Sequence, residues 1–210
     1  MTEVKITVDR ANATAKMNGT LFDTSDDESK IWLNKFTNQD GISYDIYQVY
    51  AVVEDMNGEI WVGTNTGLFV IDNPSTFFDK GIFKQIKVPR NDGTGLADYL
   101  LSGTYIKAMK VDGANRKWVG TNDNGVYLIS ADGKETIHHF TTENSPLPSN
   151  NIVSIAINGK SGEVFIGTDK GMASFMSDAT RPQDTLDEKN IYAYPNPVRA
   201  NYSGNISIVG

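Results

Sequence analysis

Cysteine is absent from the 210 residues, which excludes disulfide frameworks and thiolate metal sites. Apolar residues never run long enough to encode a membrane-spanning helix, and the start, Met1-Thr2-Glu3-Val4-Lys5, has no apolar signal region. Basic residues are in deficit: 19 Lys and Arg face 26 Asp and Glu, a net charge of −7. A chain that acidic is poorly suited to bind nucleic acid or an anionic membrane through bulk charge. The only histidines are His138 and His139. Neighbours in a strand point to opposite faces, so these two cannot chelate one metal. Asp26-Asp27-Glu28 lacks the spaced ligands of a calcium loop. Gly93-Thr94-Gly95 is too short for a phosphate cradle and has no lysine to complete one. No nucleophile elbow occurs. These absences leave no catalytic residue, metal or cofactor to assign, and the expectation is a protein that is not an enzyme.

What the chain does contain is a motif written three times. It reads Gly58-Glu59-Ile60-Trp61-Val62-Gly63-Thr64-Asn65-Thr66-Gly67-Leu68, then Asn115-Arg116-Lys117-Trp118-Val119-Gly120-Thr121-Asn122-Asp123-Asn124-Gly125-Val126, then Gly162-Glu163-Val164-Phe165-Ile166-Gly167-Thr168-Asp169-Lys170-Gly171-Met172. Repetition at roughly fifty residues points to a stacked or radial array of like units. The Gly63-to-Gly120 interval is longer than the Gly120-to-Gly167 interval, which reads as an insertion in the first.

Each unit predicts short strands. Inner candidates are Gln48–Glu54, Tyr105–Val111 and Asn151–Ile157, followed by Ile60–Gly63, Lys117–Gly120 and Val164–Gly167. Leu68–Ile71, Val126–Ile129 and Met172–Phe175 come third, and Phe83–Val88 and Thr136–Phe140 fourth. Ile31–Phe36 reads as the fourth strand of a preceding unit. Four short antiparallel strands per repeat describe a propeller blade. Gly67, Gly125 and Gly171 fall where a tight hairpin needs positive φ. Gly63, Gly120 and Gly167 recur with them. Trp61, Trp118 and Phe165 are expected between adjacent blades, each burial stabilising by roughly 2–3 kcal/mol. Thr64, Thr121 and Thr168 are expected to satisfy turn amides.

The fold expected is all-β: a partial β-propeller of four-stranded antiparallel blades, followed by the start of a β-sandwich. A partial blade over 1–42 precedes three repeats over 43–178, a linker over 179–190 and a truncated sandwich over 191–210. Asn205–Gly210 alternates like a strand and then stops, so the chain reads as a fragment. Uncovered blade faces are expected to make it self-associate.

The repeats resemble two-component-regulator propeller repeats of Bacteroidetes. The segments Ile86–Leu101, Val111–Trp118, His138–Leu147 and Tyr192-Ala193-Tyr194-Pro195-Asn196-Pro197-Val198-Arg199 are more specific. They are similar to the PorZ-like family of the type IX secretion system, over the chain from about Asp45 onward. That resemblance implies a non-catalytic binding and scaffold protein at the outer-membrane cell surface. Its implied partners are a sortase-like protein and its attachment complex, with anionic polysaccharide or lipopolysaccharide as ligand. The alternative is the extracytoplasmic ligand-sensing propeller of a hybrid two-component histidine kinase responding to glycans, which leaves a periplasmic location open. A propeller lyase or glycosidase is a third reading, which nothing in the repeats favours.

Strand alternation places the turns Thr64–Gly67, Thr121–Gly125 and Thr168–Gly171 on one face with the connectors Thr37–Asp45, Pro89–Thr104 and Thr142–Asn150. Long loops on a rigid scaffold commonly carry function. The candidate contact residues are therefore Arg90, Asn91, Asp92 and Tyr99. The competing reading is that this insertion only packs on its own blade through Leu96, Leu100 and Leu101.

Overall fold

A computed structural model describes residues 35–74, 77, 81–90 and 92–180, and the backbone alone of 3–9, 12–18, 28–32, 192–194 and 207–209. In chain order the strands are β1 Glu3–Asp9, β2 Asn12–Asn18, β3 Glu28–Trp32, β4 Lys35–Thr37, β5 Ser43–Asp45, β6 Val49–Glu54, β7 Ile60–Thr64, β8 Leu68–Ile71, β9 Lys87–Pro89 and β10 Ala97–Tyr99. They continue as β11 Ile106–Val111, β12 Lys117–Thr121, β13 Val126–Ile129, β14 Thr136–Phe140, β15 Ile152–Ile157, β16 Glu163–Thr168, β17 Gly171–Met176, β18 Tyr192–Tyr194 and β19 Ser207–Val209. The chain divides into two compact units, Met1–Thr180 and Arg181–Gly210. In the second, β18 pairs antiparallel with β19.

The first unit contains three antiparallel sheets in simple meander order, β6-β7-β8, β11-β12-β13-β14 and β15-β16-β17. These are the three repeats, and their innermost strands β6, β11 and β15 neighbour one another in sequence. The fold is all-β and propeller-like. The second blade has the full four strands, whereas the first and third have three-stranded ladders. The strand expected over Phe83–Val88 is divided. Lys84 bridges Val70, Ile82 bridges Thr37, and pairing resumes only at β9. Three neighbours compete for one short segment, so none forms a full ladder with it. Ile31–Phe36 is likewise split: β3 ends at Trp32 in a sheet with β2, and β4 begins at Lys35 in a hairpin with β5.

Three apolar layers lie between successive elements. Phe36 packs with Ile60, Val62, Phe69 and Ile71; Trp61, Leu68 and Val70 pack with Ile106, Met109, Val119 and Ile129; Trp118, Val126 and Leu128 pack with Ile152, Ile155, Val164 and Ile166. Strands β7 and β12 are buried at every residue because both faces are covered. Strand β16 alternates buried with half-buried, the pattern of a sheet covered on one face. Phe165 therefore departs from the expectation: Trp61 and Trp118 are fully buried, while Phe165 is only half-buried. No following blade lies over it among the described residues.

The repeated glycines have two separate causes. Gly67, Gly125 and Gly171 adopt φ of 138°, 72° and 141° in the hairpin turns, a region that only glycine enters without strain. Gly63 and Gly120 have ordinary φ but sit under an isoleucine of the next blade. A Cβ at Gly63 would lie 2.5 Å from Ile106 Cγ2, and one at Gly120 2.5 Å from Ile152 Cγ2. At Gly167 a Cβ would instead approach Ser154 of its own blade.

Candidate functional site

The turns and the connectors meet on one face. Gly103 N–H donates to Thr66 O, and Gly125 N–H donates to Asn150 O. Asn65, Asn122 and Asp169 donate their backbone N–H groups to Gln48, Tyr105 and Asn151 carbonyls, fixing each turn against the start of its inner strand. The threonines hold the turns: Thr64, Thr121 and Thr168 hydroxyls donate to the carbonyls of Gly67, Gly125 and Gly171, and accept from the amides of Thr66, Asn124 and Lys170. The backbone scaffold of this face is thus fixed by hydrogen bonds rather than left as open loop.

The insertion forms the hairpin β9–β10 on that face. Arg90 donates twice to Asp98, from Nε at 2.8 Å and from the terminal nitrogen at 2.6 Å. The fork geometry is the strong form of a charged pair, but both partners are exposed. Arg90 holds the Asp98 carboxyl below the usual carboxylate range. Tyr99 donates its hydroxyl to Asp40, which also receives Lys87 Nζ at 2.9 Å. Asp40 thereby joins the hairpin to the connector after β4, and its carboxyl is lowered first by the Tyr99 hydroxyl and then by Lys87. Asp92 accepts from the Thr94 amide and hydroxyl, closing the tip. Asn91 lies outside the described residues. The structure thus brings Tyr99 together with Asp40 and Lys87, and Arg90 with Asp98, while Asp92 serves the turn. Packing and exposure divide the insertion: Leu100 is buried and Leu101 packs beside it, but Leu96 is 55% exposed.

A second group on the same face was not singled out by sequence. Each inner strand carries a register shift at its start, between Val49 and Ala51, Ile106 and Ala108, and Ile152 and Ser154. The residues in the shifts are Tyr50, Lys107 and Val153. Bulges redirect side chains, and here Lys107 Nζ lies 4.8 Å from the centre of the Tyr50 ring. Tyr105 leans on Tyr50 at 5.9 Å and 48°. Tyr50 donates its hydroxyl to Gln48, and its phenol is raised by burial and then by Tyr105. The signal for this group is the repeated offset of strand pairing, which residue identity does not disclose.

Buried charge also escaped the sequence reading. Lys117 is wholly buried, 2.8 Å from Asp55 of the preceding blade, 2.6 Å from Ala131 O and 4.4 Å from the Trp61 ring centre. Asp55 also caps its own turn by accepting the Asn57 and Glu59 amides. Burial raises the Asp55 carboxyl, but Lys117 and those two amides outweigh it and hold it below the ordinary value. In the next blade Asp112 takes the equivalent place, accepting from Arg116 and from Trp118 Nε1, and Arg116 reaches on to Asp178 at 2.7 Å. His139 stacks on Tyr127 while His138 meets Phe140 and Phe175. Among the described residues no group of three His, Cys, Asp or Glu is placed to hold a metal, and no helix is long and apolar enough to cross a membrane. Asp26 and Asp27 lie outside the described residues.

Residues 43–66 match the two component regulator propeller family. This regulator-propeller segment runs from β5 to the turn after β7, which is the hairpin that Thr64 and Asn65 secure. A structure of PorZ, "an essential bacterial surface component of the type-IX secretion system" of Porphyromonas gingivalis, matches with a TM-score of 0.70 and 31% identity. The match covers 94% of this chain and 27% of that one, so the chain spans about a quarter of its length. The extracellular domain of a hybrid two component system from B. thetaiotaomicron matches at 21% identity and a TM-score of 0.48, covering 86% of this chain and 23% of that one. No curated protein sequence matches. The regulator-propeller repeat and the PorZ likeness agree with the all-β blades described above.

Proposed function

We propose that this chain is part of a non-catalytic binding and scaffold module of a cell-surface secretion complex of the type IX kind. Its work is to hold a partner: a sortase-associated protein, or anionic polysaccharide such as lipopolysaccharide. The single observation that carries this reading is the likeness to the PorZ surface component over nearly the whole chain. The blades add a physical reason. Their repeated positions serve turns and interblade packing, while the hairpin on the connector face carries exposed polar groups. Arg90, Asn91, Asp92 and Tyr99 are the contact residues proposed there. An outer-membrane surface location follows from this reading.

Deleting the encoding gene tests the proposal. Accumulation of unprocessed secreted cargo is expected, and normal cargo processing overturns it. Complementation with Arg90→Glu or Tyr99→Ala separates the contact surface from the scaffold: each is expected to restore the protein to the surface but not cargo processing. A reading frame that continues into a membrane span and a kinase domain would favour the sensor alternative instead.

A further inference from the structure

The group at the starts of β6 and β11 lies outside the three apolar layers. Tyr47 is 65% exposed and Tyr105 40% exposed, although large aromatics are usually drawn into cores or interfaces. Lys107 is half-buried and differs from several other cations of the chain. Lys84, Lys87, Arg90, Arg116 and Lys117 each have a carboxylate partner, whereas among the described residues no carboxylate lies within ion-pair distance of Lys107. Its ammonium rests on Tyr50 instead. A cation oriented by an aromatic ring and left without an anion is a place where an incoming carboxylate gains a charge-assisted contact.

We infer that Tyr47, Tyr50, Tyr105 and Lys107 form a docking surface for an extended acidic segment of a partner protein, one that carries an aromatic side chain beside a carboxylate. Three features favour a peptide. Lys107 covers one face of the Tyr50 ring and Tyr105 leans on it at 48°, so this ring offers no open platform for a sugar to stack on. The rings that stay exposed are Tyr47 and Tyr105, and tyrosine is enriched in protein hot spots. Finally, β6 and β11 are the terminal strands of their sheets, and the bulges at Tyr50 and Lys107 interrupt their ladders. Along the edge away from β7 and β12, backbone groups can pair with another extended chain, as in strand addition. This surface uses none of the hairpin residues Arg90 and Tyr99, and it stands or falls apart from the secretion-complex reading.

The test uses the 210-residue chain and a fluorescein-labelled random copolymer of glutamate and tyrosine, read by fluorescence anisotropy. Saturable binding is expected, weakened about fivefold to tenfold by Lys107→Gln and similarly by Tyr105→Ala, with unfolding midpoints unchanged. Lys110→Gln, exposed on the same strand, is expected to bind as the parent does. Undiminished binding by Lys107→Gln overturns the inference, as does absence of binding. So does equal binding of polyglutamate lacking tyrosine, which would mark simple charge attraction. Equal competition by polygalacturonate would assign the surface to acidic saccharide instead.

Discussion

At the residue scale, glycines that look alike in sequence are kept for different reasons. Gly63 and Gly120 are seats for Ile106 and Ile152, and a methyl group at either collides with a β-branched side chain that is itself locked in the next blade. Gly63→Ala and Gly120→Ala are each expected to lower the unfolding free energy by about 1–3 kcal/mol. Gly167→Ala meets only the rotatable Ser154 hydroxyl at 2.5 Å and is expected to cost less, a ranking that urea denaturation of the three variants checks. Asp55 and Lys117 make a second residue-scale case. Removing one partner of a buried pair leaves the other uncompensated, so Lys117→Met is expected to cost about 3–5 kcal/mol. The double variant Asp55→Asn with Lys117→Met should recover part of that loss in a double-mutant cycle. The pH dependence has a definite sign. The folded-state carboxyl of Asp55 is lowered, so its contribution is present above the unfolded value of about 3.9 and is lost as pH falls through the lower folded value. Stability measured between neutral and acid pH should therefore fall toward acid, and Asp55→Asn should flatten that part of the curve.

At the element scale, the β9–β10 hairpin is fastened differently from the blades. Its Arg90–Asp98 pair and its Asp40–Tyr99–Lys87 group lie in solvent, where charged contacts position a segment but add little to global stability. Arg90→Gln is therefore expected to leave the unfolding midpoint unchanged. The local effect should be visible all the same. The Asp98 carboxyl, held below the ordinary range by Arg90, should return toward that range in Arg90→Gln when followed by carbon-detected NMR titration. An unshifted Asp98 midpoint in the parent would contradict the pairing. The blades, by contrast, depend on burial: β12 is covered on both faces, with Trp118 and Val119 fully excluded from water.

At the scale of the whole molecule, the third blade presents the face that the first two bury. Met172 occupies the position of Leu68 and Val126, yet it is 68% exposed where they are buried. Phe165 stands half-buried in the place of Trp61 and Trp118. Apolar faces of this kind drive association. A second copy of this chain is the expected occupant in isolation, and sedimentation velocity should show mass rising with concentration. Met172→Glu should shift that equilibrium toward monomer. A monomeric mass at every concentration would exclude self-association.

The periodic aromatic, Gly-Thr and Gly positions determined by themselves that the chain builds antiparallel blades, because hairpin φ values and strand alternation are local properties of short segments. The strands Leu68–Ile71, Val126–Ile129 and Thr136–Phe140 are found where the pattern places them. The split of Phe83–Val88 was not legible, since pairing with Thr37, Val70 or β10 is a competition between partners far apart in sequence. Of the candidate site, the hairpin bearing Arg90 and Tyr99 was visible as an interruption of the repeat. Asp40 as the common partner of Tyr99 and Lys87 was not, nor was the buried Lys117 against Asp55, because a lysine beside a tryptophan reads equally well as a solvated strand residue. The Tyr50, Tyr105 and Lys107 group is also a product of tertiary structure. Bulge register and the side-by-side placement of two inner strands bring together residues that neither strand would juxtapose alone.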